Sequence, residues 1–270
     1  MLNLEQIQNF FPPQIRENFA HQKYIVKEYI QLMILNFLAT SKFIKYITFI
    51  GGTNLRLVKG IDRFSEDLDF DCKNFSLEDF IEMSQSVLAY LQKSGLQAEI
   101  REKQSEKLTA FRSSFYFPEL LFELGLSAYK EERFLIKIET QNQKFDYTPR
   151  MANINSCGFF FSFPVPPDDI LCAMKLSALL SRAKGRDFYD ALFLLSLTKP
   201  NYNFLAQKQN VHNIAELKSK LIETVEKVDL SHKSKDFEHL LFNKANKDKI
   251  LYFSDFIKND FLANDNKYLI

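Results

Sequence analysis

The sequence predicts an α+β fold: a mixed sheet flanked by helices, followed by a mainly helical C-terminal domain. Short runs rich in β-branched and aromatic residues, Tyr46–Ile50 and Phe134–Thr140 among them, alternate with longer stretches whose apolar residues recur at helical spacing. Pro164, Pro166 and Pro167 punctuate the chain, since proline removes a donor and keeps the preceding residue out of the helical region. The 270 residues are 26% charged and 46% hydrophobic, a globular balance in a chain long enough for two cores. The boundary is therefore expected at the prolines, dividing 1–163 from 164–270.

Taken in order, Phe10-Phe11-Pro12-Pro13 ends a short helical lead. Ile25, Ile30, Leu32, Met33, Leu35 and Leu38 then mark a long helix over about 18–40. Tyr46–Ile50 reads as a buried strand. Ser76 with Asp79 three residues on is a capping-box pattern opening a helix over 76–94, and Gly95 suits the position just past its end. Residues 96–101 and 110–117 read as two strands of an antiparallel extension. In 134–140, Phe134, Ile136 and Ile138 alternate with Leu135, Lys137 and Glu139. Past the prolines, Asp168 or Asp169 can cap a helix running to about Ala183 and ended by Gly185. Another helix begins near Arg186-Asp187, and 214–228 and 237–241 are also helical.

Composition excludes several classes. A formal net charge of +1 is no polybasic signal, so any nucleic-acid contact must come from a local patch. Cys72, Cys157 and Cys172 lack metal spacing and read as buried thiols of a reducing cytoplasm. His21, His212, His232 and His239 form no ligand spacing either. No run approaches the roughly twenty apolar residues of a membrane span. The first residues, with Glu5 and no basic-then-apolar order, do not read as a secretory signal, and the expected location is cytoplasmic.

Chemistry concentrates in 46–71. Gly51-Gly52 after the strand lets the backbone turn sharply and approach a ligand closely, and Thr53 can cap a short helix, which makes the turn a plausible cradle for a triphosphate. Downstream, the period of two puts Asp67, Asp69 and Asp71 on one face of a strand and Leu68 and Phe70 on the other. Adjacent carboxylates repel unless a cation sits among them or one points into solvent, and paired hard oxygens suit Mg²⁺ (or Mn²⁺) completed by substrate phosphates. Phosphate grip beside metal grip is what phosphoryl and nucleotidyl transfer need. A calcium loop starting at Asp67 would place Glu78 at its twelfth position, but Cys72 stands where the loop wants glycine. A phosphatase with an aspartyl nucleophile would leave Gly51-Gly52 unexplained.

Gly51-Gly52-Thr53-Asn54-Leu55 with Arg63-Phe64-Ser65-Glu66-Asp67-Leu68-Asp69 resembles the signature of the AbiEii/AbiGii toxin family of minimal nucleotidyltransferases, found in bacterial abortive-infection and toxin–antitoxin operons. Lys175 to Arg182 and Arg186-Asp187 with Asp190 resemble that family's later basic and acidic motif, and the likeness spans about 20–197. It implies a nucleotidyltransferase-like sheet with a helical C-terminal domain lending basic residues to the active cleft. On this likeness Asp67, Asp69 and Lys175 are catalytic candidates. Glu139 joins them as a possible third acid on a neighbouring strand, completing the metal site with Asp67 and Asp69 or taking the acceptor's proton. Gly51, Gly52, Thr53, Arg63, Ser65, Arg182, Arg186 and Asp187 are substrate-binding candidates. A Glu139 paired to a lysine and an Asp190 that only holds Arg186 are the plainer alternatives.

The implied reaction moves a nucleoside monophosphate from a nucleoside triphosphate to an acceptor. The resemblance alone suggests RNA, such as a transfer RNA end, and a cognate antitoxin as partner. Transfer to a small molecule or protein hydroxyl, or a non-catalytic acidic module docking a basic partner, are the competing expectations.

Overall fold

The computed structural model describes residues 2–101 and 110–259, so residues 260–270 of the expected C-terminal domain lie outside the described residues. Two compact units emerge. One holds the described residues up to Lys144 together with Pro149–Val165; the other holds Phe145–Thr148 and the described residues from Pro166 on.

The first unit contains α1 (Leu4–Gln8), α2 (Pro13–Arg16), α3 (Phe19–Ala39), β1 (Ile47–Ile50), α4 (Gly51–Leu57), β2 (Leu68–Cys72) and α5 (Leu77–Lys93). It continues with β3 (Glu99–Arg101), β4 (Phe111–Tyr116), α6 (Leu120–Glu123), β5 (Leu135–Gln141), β6 (Arg150–Ser156) and β7 (Phe159–Val165). Five strands form a mixed sheet in the order β1-β2-β5-β4-β3, in which only β2 and β5 run parallel. β6 and β7 form a separate two-stranded ribbon.

Local chemistry explains the helices. Asn18 caps α3 by accepting from the Ala20 N–H at 3.1 Å. The Ser76–Asp79 capping box is present at α5, with the Asp79 N–H donating to Ser76 Oγ at 3.2 Å and the Ser76 N–H to Asp79 Oδ2 at 2.9 Å. The α3 helix also anchors α4 and the segment before β2. Its Glu28, buried, takes both Arg56 Nε at 2.8 Å and Arg56 Nη2 at 3.1 Å from α4. Gln31 Nε2 donates to the Ser65 carbonyl at 3.2 Å.

On the sheet, the alternation read in β5 holds: Ile136 and Ile138 are buried while Lys137 is exposed and Glu139 half-exposed. Leu68 and Phe70 of β2 are buried too. Phe49, Phe70 and Phe163 form a ring cluster with centroids 5.8 to 5.9 Å apart. Burying each such ring stabilises by about 1.5–3 kcal/mol relative to exposure. A one-residue slip of β2 would move Phe70 off the core face and turn Asp69 towards it, so this packing enforces the register that leaves Asp69 half-exposed.

The ribbon corrects the linker expectation. Pro164 lies within β7, opposite Met151, and the irregular segment begins only at Pro166. The turn Cys157–Gly158, with φ of 50° and 80°, has the two positive-φ residues of a tight hairpin. A cysteine in the first of those positions and a proline in the strand both argue against a hairpin locally, and tertiary packing of Phe161, Phe163 and Val165 overrides them.

The second unit is helical: α7 (Asp168–Arg182), α8 (Gly185–Leu195), α9 (Tyr202–Gln209), α10 (Ile214–Glu226), α11 (Leu230–Lys235) and α12 (Phe253–Lys258). Phe188, Phe204, Phe237 and Phe253 fill its core, with Phe188 and Phe253 meeting edge to face at 5.1 Å. Two boundary expectations change. Pro167 is the residue preceding α7, so Asp168 and Asp169 occupy its first turn, where carboxylates suit the helix dipole. Ala183, at φ 46°, ends α7, and Gly185 instead opens α8. No helix among the described residues is long and apolar enough to cross a membrane.

Candidate active site

The acid-bearing strand is central to its end of the sheet. Asp69 on β2 is the Cα partner of Ile50 on β1 and of Glu139 on β5, and Glu139 is in turn the partner of Arg112 on β4. Cross-strand partners share a face, so Asp69, Glu139 and Arg112 stand side by side on the face opposite Leu68 and Phe70. Asp67 and Asp69 are half-exposed. Asp71 is not: it is 3% exposed and accepts the Gln143 N–H at 2.8 Å. The repulsion anticipated among three equal carboxylates is thus relieved by withdrawing Asp71 into a backbone contact.

Glu139 is relieved differently. Arg112 Nε donates to its Oε2 at 2.6 Å and Nη2 to its Oε1 at 3.3 Å. This contact and the charge of Glu139 raise the Arg112 pKa above its ordinary value, and the charge of Asp69 adds to the effect. Glu139 is thus ion-paired, as its plainer alternative had it, but with an arginine of the neighbouring strand and not a lysine.

Opposite Glu139 across β2 lies the glycine turn. Gly51 has φ 81°, and a Cβ built on it would fall 2.0 Å from Asp69 Oδ2 and 2.7 Å from Asp69 Cγ. A Cβ on Gly52 would fall 2.7 Å from Ser65 Oγ and 3.0 Å from Arg63 Nη2. The first glycine thus makes room for the Asp69 carboxylate and the second for the Arg63–Ser65 segment. Thr53 does not cap α4, which Ile50 precedes without a side-chain cap; its hydroxyl donates to the Asp67 carbonyl, tying the helix to the acid strand. Asn54 Nδ2 donates to the Phe49 carbonyl at 2.7 Å. Arg63 is 1% exposed and donates from Nη1 to the Phe64 carbonyl at 2.8 Å. Arg63 and Ser65 thus sit behind the turn as buried support.

Sequence reasoning missed Arg112 and Lys27. Lys27 of α3 lies 3.9 Å from Glu66 Oε1 and 5.6 Å from the Phe134 ring centroid. Burial lowers its pKa, against the opposing pull of Glu66 and Asp67. A lysine directly after the apolar Tyr24-Ile25-Val26 was the available signal for Lys27. Arg112 had none, because strand pairing over 27 residues is not written locally.

The second motif forms a compact charge cluster within the helical unit. Lys175 Nζ donates to Asp190 Oδ2 at 2.9 Å, with both side chains buried. Arg182 grips Asp187 with two bonds, Nε to Oδ2 at 2.9 Å and Nη2 to Oδ1 at 2.8 Å. Asp187 also accepts the Lys184 N–H at 3.2 Å, which stitches α7 to α8 across the Ala183–Lys184 turn. Lys175 and Arg182 are thus paired with buried acids, and Asp190 serves Lys175. Arg186 is half-buried at the start of α8.

Among the described residues, no three His, Cys, Asp or Glu side chains gather into a metal-holding group. Two half-exposed carboxylates beside a glycine turn fit a different kind of ion, one that keeps waters and takes its remaining oxygens from a phosphate chain, as Mg²⁺ does. Glu139, with both oxygens on Arg112, would have to leave that partner to join them.

The family described as "Nucleotidyl transferase AbiEii toxin, Type IV TA system" matches residues 34–260. A search of curated proteins returns no match. Among solved structures, the chain is similar to MenT4, a nucleotidyltransferase toxin of Mycobacterium tuberculosis H37Rv, at 16% identity and a TM-score of 0.65, covering 96% of this chain and 90% of that one. It is also similar to a nucleotidyltransferase candidate from H. pylori, at 19% identity and a TM-score of 0.51, covering 87% of this chain and 92% of that one. At these identities the structural likeness establishes a shared fold.

Proposed function

The chain belongs to the AbiEii family of nucleotidyltransferase toxins, and we propose that it transfers a nucleoside monophosphate from a nucleoside triphosphate to an acceptor hydroxyl at the Asp67–Asp69 face. The hydroxyl oxygen bonds to the α-phosphorus, the bridging bond to the β-phosphate breaks, pyrophosphate leaves, and the hydroxyl proton passes to solvent at the half-exposed face. The observation that carries the reading is the packing of the Asp69 carboxylate against Gly51, which sets an oxygen of the acid strand directly beside the glycine turn that opens α4.

Asp67 and Asp69 would hold Mg²⁺ or Mn²⁺, which when bound supplies Lewis-acid neutralisation of the phosphate oxygens. The backbone at Gly51, Gly52 and Thr53 would line the phosphates, with the buried Arg63 charge behind Gly52 favouring anions there. The family motif recommends Lys175 for the charge of the leaving pyrophosphate, with Arg182, Arg186 and Asp187 around it; within its own unit Asp190 orients its ammonium. The resemblance favours RNA as acceptor, and membership in a toxin family favours an antitoxin partner in the cytoplasm.

The test is incubation with each nucleoside triphosphate, radiolabelled at the α-phosphate, with Mg²⁺, total cellular RNA and total protein. Label is expected in RNA, and chelation should abolish it. Label in protein or small molecules would move the acceptor class, and no transfer from any triphosphate would overturn the reading.

A further inference from the structure

We propose that Arg112 is an anion-binding residue of the acid face, aimed by Glu139, and that it receives a phosphate oxygen of the bound nucleotide beside Asp67 and Asp69. Glu139 is then a positioning residue, not a ligand of the metal. This rests on the nucleotidyl-transfer reading of the same face and adds a substrate contact that neither the sequence motifs nor the family match assigns.

The argument begins with register. Gly51, Asp69, Glu139 and Arg112 follow one another across the sheet from the α4 turn towards β4, so Arg112 lies on the side of Asp69 away from the glycines. A triphosphate lying over Gly51 and Asp69 brings more negative charge than one divalent ion cancels, and the turn side already has the buried Arg63. The Glu139 side needs a cation as well. Arg112 is the guanidinium there, and the charge of Asp69 reaches it.

Its donors are also arranged for the task. Nε and Nη2 are committed to Glu139, whereas among the described residues Nη1 donates to no protein acceptor. The side chain is 54% exposed. An arginine forked onto a carboxylate by two donors keeps its remaining N–H groups in one plane and pre-aimed, which suits phosphate oxygens. Glu139 gains no such freedom. Both its oxygens face the guanidinium, so metal ligation would require breaking a charge-assisted pair.

The experiment uses the full chain and the α,β-methylene analogues of the four nucleoside triphosphates, which bind without turnover. Calorimetry with Mg²⁺ reads analogue affinity, and electron paramagnetic resonance reads Mn²⁺ affinity without nucleotide. Arg112→Ala should weaken analogue binding by about tenfold or more, the scale of one charge-assisted hydrogen bond, while leaving Mn²⁺ affinity unchanged. Arg112→Lys should restore part of the loss, and because it keeps the charge and stem it also serves if the alanine variant folds poorly. Glu139→Gln should weaken the analogue less than Arg112→Ala and leave Mn²⁺ affinity unchanged. Unchanged analogue affinity in Arg112→Ala overturns the proposal, as does a loss of Mn²⁺ binding in Glu139→Gln, which would make Glu139 a metal ligand. Failure of the unsubstituted protein to bind any analogue would instead overturn nucleotidyl transfer itself.

Discussion

The carboxylate of Asp69 occupies the space that a side chain on Gly51 would need: a Cβ there would lie 2.0 Å from Oδ2. Residue 51 must be glycine twice over, because its φ of 81° disfavours any L side chain as well. Gly51→Ala is therefore expected to cost about 1–2 kcal/mol from the backbone alone. Displacement of Asp69 by about 1 Å should in addition lower transfer about a hundredfold. Thermal melting and label transfer read the two effects separately; near-native transfer would show that Asp69 needs no fixed position.

Asp69 and Asp71 should part company under mutation. Asp67→Asn and Asp69→Asn keep shape but lose metal-binding charge, and each should lower transfer at least about a hundredfold, since a Lewis-acid contribution is worth several kcal/mol. Melting should change little. Asp71→Ala, by removing the acceptor of the Gln143 N–H, should instead destabilise by about 1–3 kcal/mol and preserve turnover per folded molecule. The reverse pattern would mean that the wrong pair has been assigned to the ion.

Lys175→Ala should be costly for the fold as well as for activity. It removes the ammonium from Asp190, whose side chain has no exposed surface, and breaking one side of a buried pair costs about 3 kcal/mol. Urea unfolding of Lys175→Ala against the parent chain checks this. A change below about 0.5 kcal/mol, the scale of an ordinary surface substitution, would count against a structural role for the pair.

The thiols should be inert in the native protein. Burial pushes Cys72 up to about 12 and Cys157 up to about 11, and it raises Cys172 as well. A raised thiol pKa means less thiolate at a given pH, so at pH 8 no more than about one part in a thousand of Cys72 or Cys157 is reactive. Labelling with a thiol reagent at pH 8 should be slow when folded and complete in denaturant. Rapid native labelling would mean that a thiol is accessible.

The glycine turn, the acid strand and the α5 capping box were legible because each is a local pattern whose residues act within a few positions of one another. Arg112 and Lys27 were not, since both reach the site through partners on other elements, Glu139 by strand pairing and Glu66 by helix packing. Local spacing also made Asp67, Asp69 and Asp71 equivalent, and the third is set apart by its burial and its contact with the Gln143 backbone. The β6–β7 ribbon was hidden because Pro164 in a strand contradicts local propensity, and the burial of Phe163 outweighs it.

The chain leaves the first unit after Lys144, returns at Pro149 and leaves again after Val165, so the units are joined by three crossings. A single protease cut within 145–148 would leave each fragment holding part of a core that the other completes: β7 supplies Phe163 to the Phe49–Phe70 cluster, and Phe145 packs on Phe204 at 5.1 Å. The nicked halves should therefore stay together until denatured. An expression fragment ending at 144 would lose the ribbon, and one ending at 165 would carry Phe145 without its ring partner.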